Sequence, residues 1–261
     1  MRENRRRIVE ICALLLAGVV ALPAIGAEGV DPDADRILKS MSAYLAGTQA
    51  FTLGADVALE VVMKNGQKLQ RLSSQALVVQ RPSRFRIDFK AVLANGELVF
   101  DGKTLTLYGR KPNAYIQRNV TGTIDDGIRA VEAETGISAA GADLLFADPY
   151  AVLVEGVESG VYLGTAFVDG IECHHLAFRE DQFDWQIWIQ TGDRPLPMRY
   201  VITSTWQTGA PQLEVSMRDW NTSPQITDKQ FTFSVPAGAT KLDAIPFDDI
   251  YDVHSEKEGQ Q

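Results

Sequence analysis

Hydrophobic and polar positions follow a period of two over most of the chain and a period near 3.6 in only two places, and that contrast sets the architecture. From Phe51 the apolar set Phe51, Leu53, Ala55, Val57, Leu59 and Val61 alternates with Thr52, Gly54, Asp56, Ala58 and Glu60. This predicts a half-buried strand, followed by a type I′ hairpin turn at Asn65-Gly66 and a return strand from Lys68 to Gln80. Phe85, Ile87 and Phe89 then alternate with Arg84, Arg86, Asp88 and Lys90, and Asn95-Gly96 and Asp101-Gly102 mark turns around Leu98-Val99-Phe100 and Leu105 to Tyr108. The β signal resumes at Val161 with an Asp169-Gly170 hairpin, strands over Ile171 to Phe178, Trp185 to Ile189 and Arg199 to Trp206, and a turn at Thr208-Gly209-Ala210-Pro211. Leu213 to Trp220 and a last strand Phe231 to Val235 complete about ten strands.

The helical period appears first after Asp31-Pro32, where Ile37, Leu38, Met41, Tyr44 and Leu45 form one stripe that Gly47 stops. It returns between Thr123 and Val157. There Ile124, Ile128 and Val131 share a face, and Ala142 to Leu145 and Pro149 to Val154 are further apolar pieces, broken at Gly136, Gly141 and Asp148-Pro149. Hairpins between neighbours, with no strand-helix-strand alternation, predict a mainly β (α+β) fold. Its form is one large antiparallel sheet whose concave apolar face, if the sheet curls, is covered by the N-terminal helix and the central helical insertion.

The ends read differently. Residues 1–27 carry Arg2, Arg5, Arg6 and Arg7, then an apolar run from Ile11 to Ile25, then Gly26-Ala27, the plan of a secretory signal peptide cut after Ala27, with a cut after Gly26 as competitor. Cys12 lies inside the run, so a soluble periplasmic protein is expected, not a lipoprotein. With 34 acidic and 25 basic residues the chain has net charge −9; removing the leader's four Arg and two Glu makes it −11, which disfavours nucleic acid as a partner. Cys173 is then the one remaining cysteine, so no intrachain disulfide forms. Residues 28–242 read as one domain, and residues 243–261 as an acidic, largely disordered tail.

Candidate chemistry is sparse. Cys173-His174-His175 offers soft metal ligands, but successive strand residues point to opposite faces, so ordinary strand side chains are the preferred reading and no metal is assigned. There is no Gly-x-Ser-x-Gly elbow, no His-Glu-x-x-His and no phosphate-binding glycine loop, and Asp181 and Asp184 read as turn formers. No catalytic residue and no cofactor are assigned. What the pattern does offer is a wide apolar face.

Gly170 to Phe178, then Asp184-Trp185-Gln186-Ile187-Trp188-Ile189 and Gly192-Asp193-Arg194-Pro195-Leu196-Pro197, resemble a bacterial family of predicted periplasmic proteins of unknown function. Its members are similar to the LolA/LolB superfamily of lipoprotein carriers, as is the closing stretch Phe231 to Gly238. The resemblance implies an unclosed barrel wrapped around helices, with a hydrophobic cavity for acyl chains. The expected function is a periplasmic carrier of a lipid or lipoprotein acyl chain, the alternative being an envelope regulator or sensor that uses the same cavity to bind a partner in the inner or outer membrane. The expected walls are Phe51, Leu53, Val57, Leu59, Phe85, Ile87, Phe89, Trp185, Ile187, Ile189, Val215 and Met217, with Ile128 and Val131 from the insertion as lid.

Overall fold

The computed structural model describes residues 29–92, 95–135 and 141–244. The leader, Gly136 and the tail beyond Ala244 lie outside the described residues. A two-residue strand, β1 (Gly29–Val30), precedes helix α1 (Pro32–Gly47). A first meander follows: β2 (Ala50–Val62), β3 (Lys68–Gln80), β4 (Arg84–Ala91), β5 (Asn95–Phe100), β6 (Thr104–Gly109) and β7 (Ala114–Asn119). The insertion comprises α2 (Ile124–Thr135), a 3-10 turn (Ala142–Leu145) and α3 (Pro149–Leu153). The second meander is β8 (Ser159–Val168), β9 (Ile171–Arg179), β10 (Phe183–Gln190), β11 (Pro197–Ser204) and β12 (Gln212–Asn221). β12 pairs antiparallel with β2 and fuses both meanders into one sheet of thirteen strands. β1 lies parallel on β8 at one margin and β13 (Thr240–Lys241) parallel on β7 at the other, so the barrel stays unclosed, as the family resemblance implies. Register shifts at Trp188/Ile189, Arg218/Asn221 and Tyr162/Thr165 bend the sheet.

Local chemistry explains most boundaries. Asp31 caps α1 by accepting from the Asp33 amide at 2.7 Å, with Pro32 opening the helix. Gly47 is the helix's last residue and does not stop it; Thr48 does, its amide and hydroxyl bonding the Tyr44 carbonyl. Asp169 and Gly170 both have positive φ, as a two-residue β8–β9 hairpin requires. The β2–β3 turn differs from expectation. Gly66 alone adopts positive φ, the Gly66 amide donates to the Met63 carbonyl, and the Met63 amide donates to the Gln67 carbonyl, so the loop is longer than type I′.

Three further expectations are corrected. Asn95-Gly96 is not a turn but the start of β5, where Gly is demanded by close approach: a Cβ at Gly96 would stand 2.0 Å from the Tyr108 carbonyl oxygen. Phe231 to Val235 is not a strand. Phe231 ends a 3-10 turn (Asp228–Phe231) and is buried under the Arg84 guanidinium, Phe233 packs on Tyr108 and Tyr115, and the edge of β7 is taken by β13. Asp184 lies in β10, where Arg179 donates to both its carboxylate oxygens, and not in a turn. The short strands β1, β7 and β13 were not marked by alternation.

The helices fill the inside of the curve. Ala34, Ile37, Leu38, Met41 and Leu45 of α1 join Phe51, Phe85, Phe100, Ile187 and Ile189 of the sheet in one buried cluster. Tyr150 of α3 donates to Asp35 of α1, and the Lys39 ammonium sits 5.0 Å above the Tyr150 ring centre. Helix α2 approaches the sheet at Gly127, where a Cβ would lie 2.7 Å from Phe100 and 2.9 Å from Phe85. Both rings are fully buried and cannot yield. Gly127→Ala should therefore destabilise the fold by about 1–2 kcal/mol in urea unfolding, despite alanine's advantage of about 1 kcal/mol in a helix. A stabilised variant would show that α2 does not pack this closely.

Candidate ligand site between the sheet and its helical cover

The expected wall residues divide into two sets. Phe51, Leu53, Phe85, Trp185, Ile187, Ile189, Val215 and Met217 are buried on the inner face, with Ile128 of α2 buried among them. Val57, Leu59, Ile87, Phe89 and Val131 are only half-buried. The gradient is clearest along β3, where Val79 and Leu77 are buried while Gln75, Ser73 and Arg71, the next residues on the same face, are partly open. Toward the tip of the β2–β3 hairpin the inner face therefore grows more open and becomes amphipathic, with Leu213 and Ile202 of the adjoining strands also half-buried.

Inside, the packing is close. A void of about 10 Å³ lies between α2 and strands β5–β7, lined by Leu98, Leu105, Leu107, Ile116 and Val131 among others. That is far below the roughly 300 Å³ from which small-molecule pockets begin. A larger cleft of about 640 Å³ lies on the outer face, bordered by Asp56, Leu72, Ser74, Lys90, Val92 and Glu214. Its carboxylates are already matched: Asp56 pairs with Arg218 at 2.9 Å and Glu214 with Arg199 at 2.7 Å. The Arg218 guanidinium and the Ser74 hydroxyl hold the Asp56 carboxyl below its ordinary range.

Arg81, just after β3, ties the cover to the barrel. It donates from Nε to the Leu45 carbonyl near the end of α1 (3.3 Å), and from one terminal nitrogen to the carbonyls of Leu145 (2.9 Å) and Phe146 (3.1 Å) at the end of the 3-10 turn. One side chain thus bonds carbonyls at two helix ends, of which Leu45 also accepts from the Thr48 amide at 3.2 Å.

Sequence reasoning missed a polar locus under the same insertion. Asp143 stands in the 3-10 turn, and burial, with Glu132 and Glu180 nearby, pushes its carboxyl up to about 6. Tyr200 of β11 is 3% exposed, and burial raises its phenol well above the ordinary value, with Asp143 and Glu180 acting the same way. Glu180, at the β9–β10 turn, accepts from Trp185 Nε1 at 2.8 Å and is raised by burial. The one available signal was Asp143 itself, an acid inside the apolar run Ala142 to Leu145.

The Cys-His-His stretch is dispersed. Burial pushes the Cys173 thiol up to about 11, away from thiolate chemistry. His174 meets the Tyr162 hydroxyl at 3.0 Å, whereas His175 stacks on Trp188 with ring centres 4.2 Å apart and bonds Gln186. Cross-strand pairing puts His174 beside Ile189 and His175 beside Trp188, on opposite faces.

Sheet, cover and inner face together define a helix-filled half-barrel with an apolar interior. Residues 34–245 match the family model described as predicted periplasmic protein (DUF2092), and the chain belongs to that family. The periplasmic localisation expected from the leader is that of the family, and among the described residues no helix is long and apolar enough to cross a membrane. Among curated proteins none matches the chain in sequence. Similar solved structures include an uncharacterized conserved protein from Thermus thermophilus, at 12% identity and TM-score 0.49, over 80% of this chain and 98% of that one. The Mycobacterium tuberculosis lipoprotein LppX is similar at 12% identity and TM-score 0.42, over 76% and 100%. A LolA superfamily protein from Nitrosomonas europaea is similar at 11% identity and TM-score 0.41, over 77% and 97%.

Proposed function

We propose that this protein is a periplasmic carrier that holds a lipid or acyl chain between the curved sheet and its helical insertion. The supporting observation is the gradient of exposure on the inner face: the apolar surface that α1 and α2 bury continues as half-buried Val57, Leu59, Ile87 and Phe89. Half-buried apolar residues continuous with a core are where an acyl chain can enter by replacing helix contacts with its own. Each methylene buried contributes about 0.8 kcal/mol, so a long chain can offset the displacement of a short helix without a polar contact. The cover suits that exchange. It comes in separate pieces, α2 of twelve residues and α3 of five, instead of one long helix.

Native mass spectrometry of the mature chain purified from its own periplasm, followed by organic extraction, tests the reading. One lipid per chain is the expected result. Phe89→Asp should lower uptake of a fluorescent fatty acid by about tenfold, and by clearly more than Phe89→Ala, which removes the same half-buried ring without adding a charge. A bare polypeptide that also ignores added lipids and fatty acids would sink the carrier reading.

A further inference from the structure

The end of the half-barrel at which the inner face opens carries side chains that the core does not use. β2 and β11 finish there, β3 and β12 begin there, and the β4–β5 and β6–β7 connections lie at the same end. Toward β4 the ladder stops at the Ser73–Ala91 pair, so residues 68–72 of β3, paired with 58–62 of β2, project about 17 Å past β4 at about 3.4 Å per residue. The β11–β12 turn leans on this hairpin: a Cβ at Gly209 would stand 3.1 Å from Val62, and Lys68 Nζ reaches the Ala210 carbonyl at 3.5 Å.

A projecting hairpin with water on both sides has no use for large apolar side chains. Here Leu69 pairs with Val61 on one face and Leu72 with Ala58 on the other, so apolar groups stand on both faces of a segment that has no core to receive them. Leu72 is 65% exposed, Val92 just after β4 is 93% exposed, and Trp206 in the β11–β12 turn is 62% exposed. With Leu69 they make up four of the eight large apolar side chains that stand exposed among the described residues.

The charge of this end departs from that of the chain. The hairpin, the end of β4 and the β6–β7 connection hold Lys64, Lys68, Arg71, Lys90, Arg110 and Lys111 against one acid, Glu60, in a chain of net charge −9. Lys68 already matches Glu60 at 3.0 Å, and Arg110 reaches Asp88 at 3.4 Å. Lys64, Lys90 and Lys111 are exposed and form no ion pair among the described residues. Toward β8–β10 the sign reverses, with Glu158 and Asp181 exposed, so apolar and basic features coincide only over β2–β7 and the β11–β12 turn. Exposed alkyl groups and an indole set among unmatched ammonium groups fit the interfacial layer of an anionic bilayer. There the apolar groups enter the acyl boundary while the lysines stay among the phosphates.

We propose that this end of the half-barrel is a docking surface for a membrane rich in anionic phospholipid, with Leu69, Leu72, Val92 and Trp206 entering the interface and Lys64, Lys90 and Lys111 meeting head-group phosphates. The proposal goes beyond the carrier reading and does not depend on it, because docking brings the half-open inner face at Val57, Leu59 and Phe89 to the bilayer whatever that face binds.

The test is flotation of the full mature chain with vesicles of phosphatidylcholine alone and of phosphatidylcholine with about one-third phosphatidylglycerol. The anionic vesicles should bind at least about tenfold more tightly, and about 0.5 M salt should release the protein. Lys64→Ala, Lys90→Ala and Lys111→Ala should each weaken binding by about fivefold. Trp206→Ser and Leu72→Ser should weaken it by about tenfold each, with circular dichroism unchanged because both positions are exposed. Phe167→Ser is the control: Phe167 is 73% exposed beside the β8–β9 hairpin at the opposite end, and its loss should change nothing. Failure to bind anionic vesicles, equal binding to both kinds, or an equal effect of Phe167→Ser overturns the proposal. So does a dimer in analytical ultracentrifugation that Leu72→Ser dissociates while vesicles are ignored, which assigns the patch to a second copy of the chain. Each of these results leaves the carrier reading standing, since that reading is judged by the lipid extracted from the purified protein.

Discussion

Arg81→Met should cost about 2 kcal/mol of stability in urea unfolding and loosen the helical cover before the sheet. The guanidinium serves three carbonyls, of Leu45, Leu145 and Phe146, on two separate elements. Methionine fills much of the same space but donates nothing; the Leu45 carbonyl keeps the Thr48 amide, but the Leu145 and Phe146 carbonyls lose this donor, at a cost on the order of 1 kcal/mol or more each. Lysine should recover only a part, because one ammonium on a flexible stem cannot reproduce a planar fork that spans both helix ends. Hydrogen exchange should show the effect first in α1's last turn and in residues 142–146, with β2 and β3 still protected. A loss below about 0.5 kcal/mol would mean that Arg81 does not hold the insertion.

Asp143→Asn should move stability the other way, raising it by about 2–3 kcal/mol at pH 8. Burial pushes the Asp143 carboxyl up to about 6 from an ordinary 3.8, so its ionised form is disfavoured in the folded chain by that order. Between about pH 4 and pH 6 the folded protein keeps a proton that the unfolded chain has released. This group therefore adds stability as pH falls through that window, and the cost is fully present above it. The variant lacks the term, so its advantage should shrink on acidification and vanish below about pH 4. His174 and His175 act in the opposite sense. Burial holds both below their ordinary value, so they lose stability as pH falls below about 6.5, equally in both proteins. The difference between the two urea midpoints across pH isolates Asp143. A constant difference would remove the buried-charge account.

The sheet was legible because its strands are long, alternate with period two and connect to neighbours, as β2, β4 and β10 do. α1 was legible from its stripe and cap. What escaped depends on approach between distant segments. Asn95-Gly96 has the composition of a turn, but the Tyr108 carbonyl of β6 leaves no room for a Cβ at residue 96, and that contact has no local signature. Phe231-Thr232-Phe233 has the alternation of a strand, but its rings are engaged by Arg84, Tyr108 and Tyr115 instead of by a ladder. The half of the candidate site that came from periodicity is apolar. Its polar half, Asp143, Glu180 and Tyr200, is assembled from three elements spread over 57 residues of chain, counted from 143 to 200, and a carboxylate's burial cannot be read before its neighbours are known.

The seam between β12 and β2 has a bearing on how the chain matures. Val57 pairs with Val215, so the middle of the sheet joins residues 158 positions apart, while every other antiparallel pair joins consecutive strands. Loop closure of that length delays the step until most of the polypeptide is available. During export, β2 emerges early and its second edge waits for the last long strand to cross. A chain halfway through the translocation channel therefore cannot complete its barrel, and the uncovered edge of β2 in that interval is the surface a periplasmic chaperone would meet.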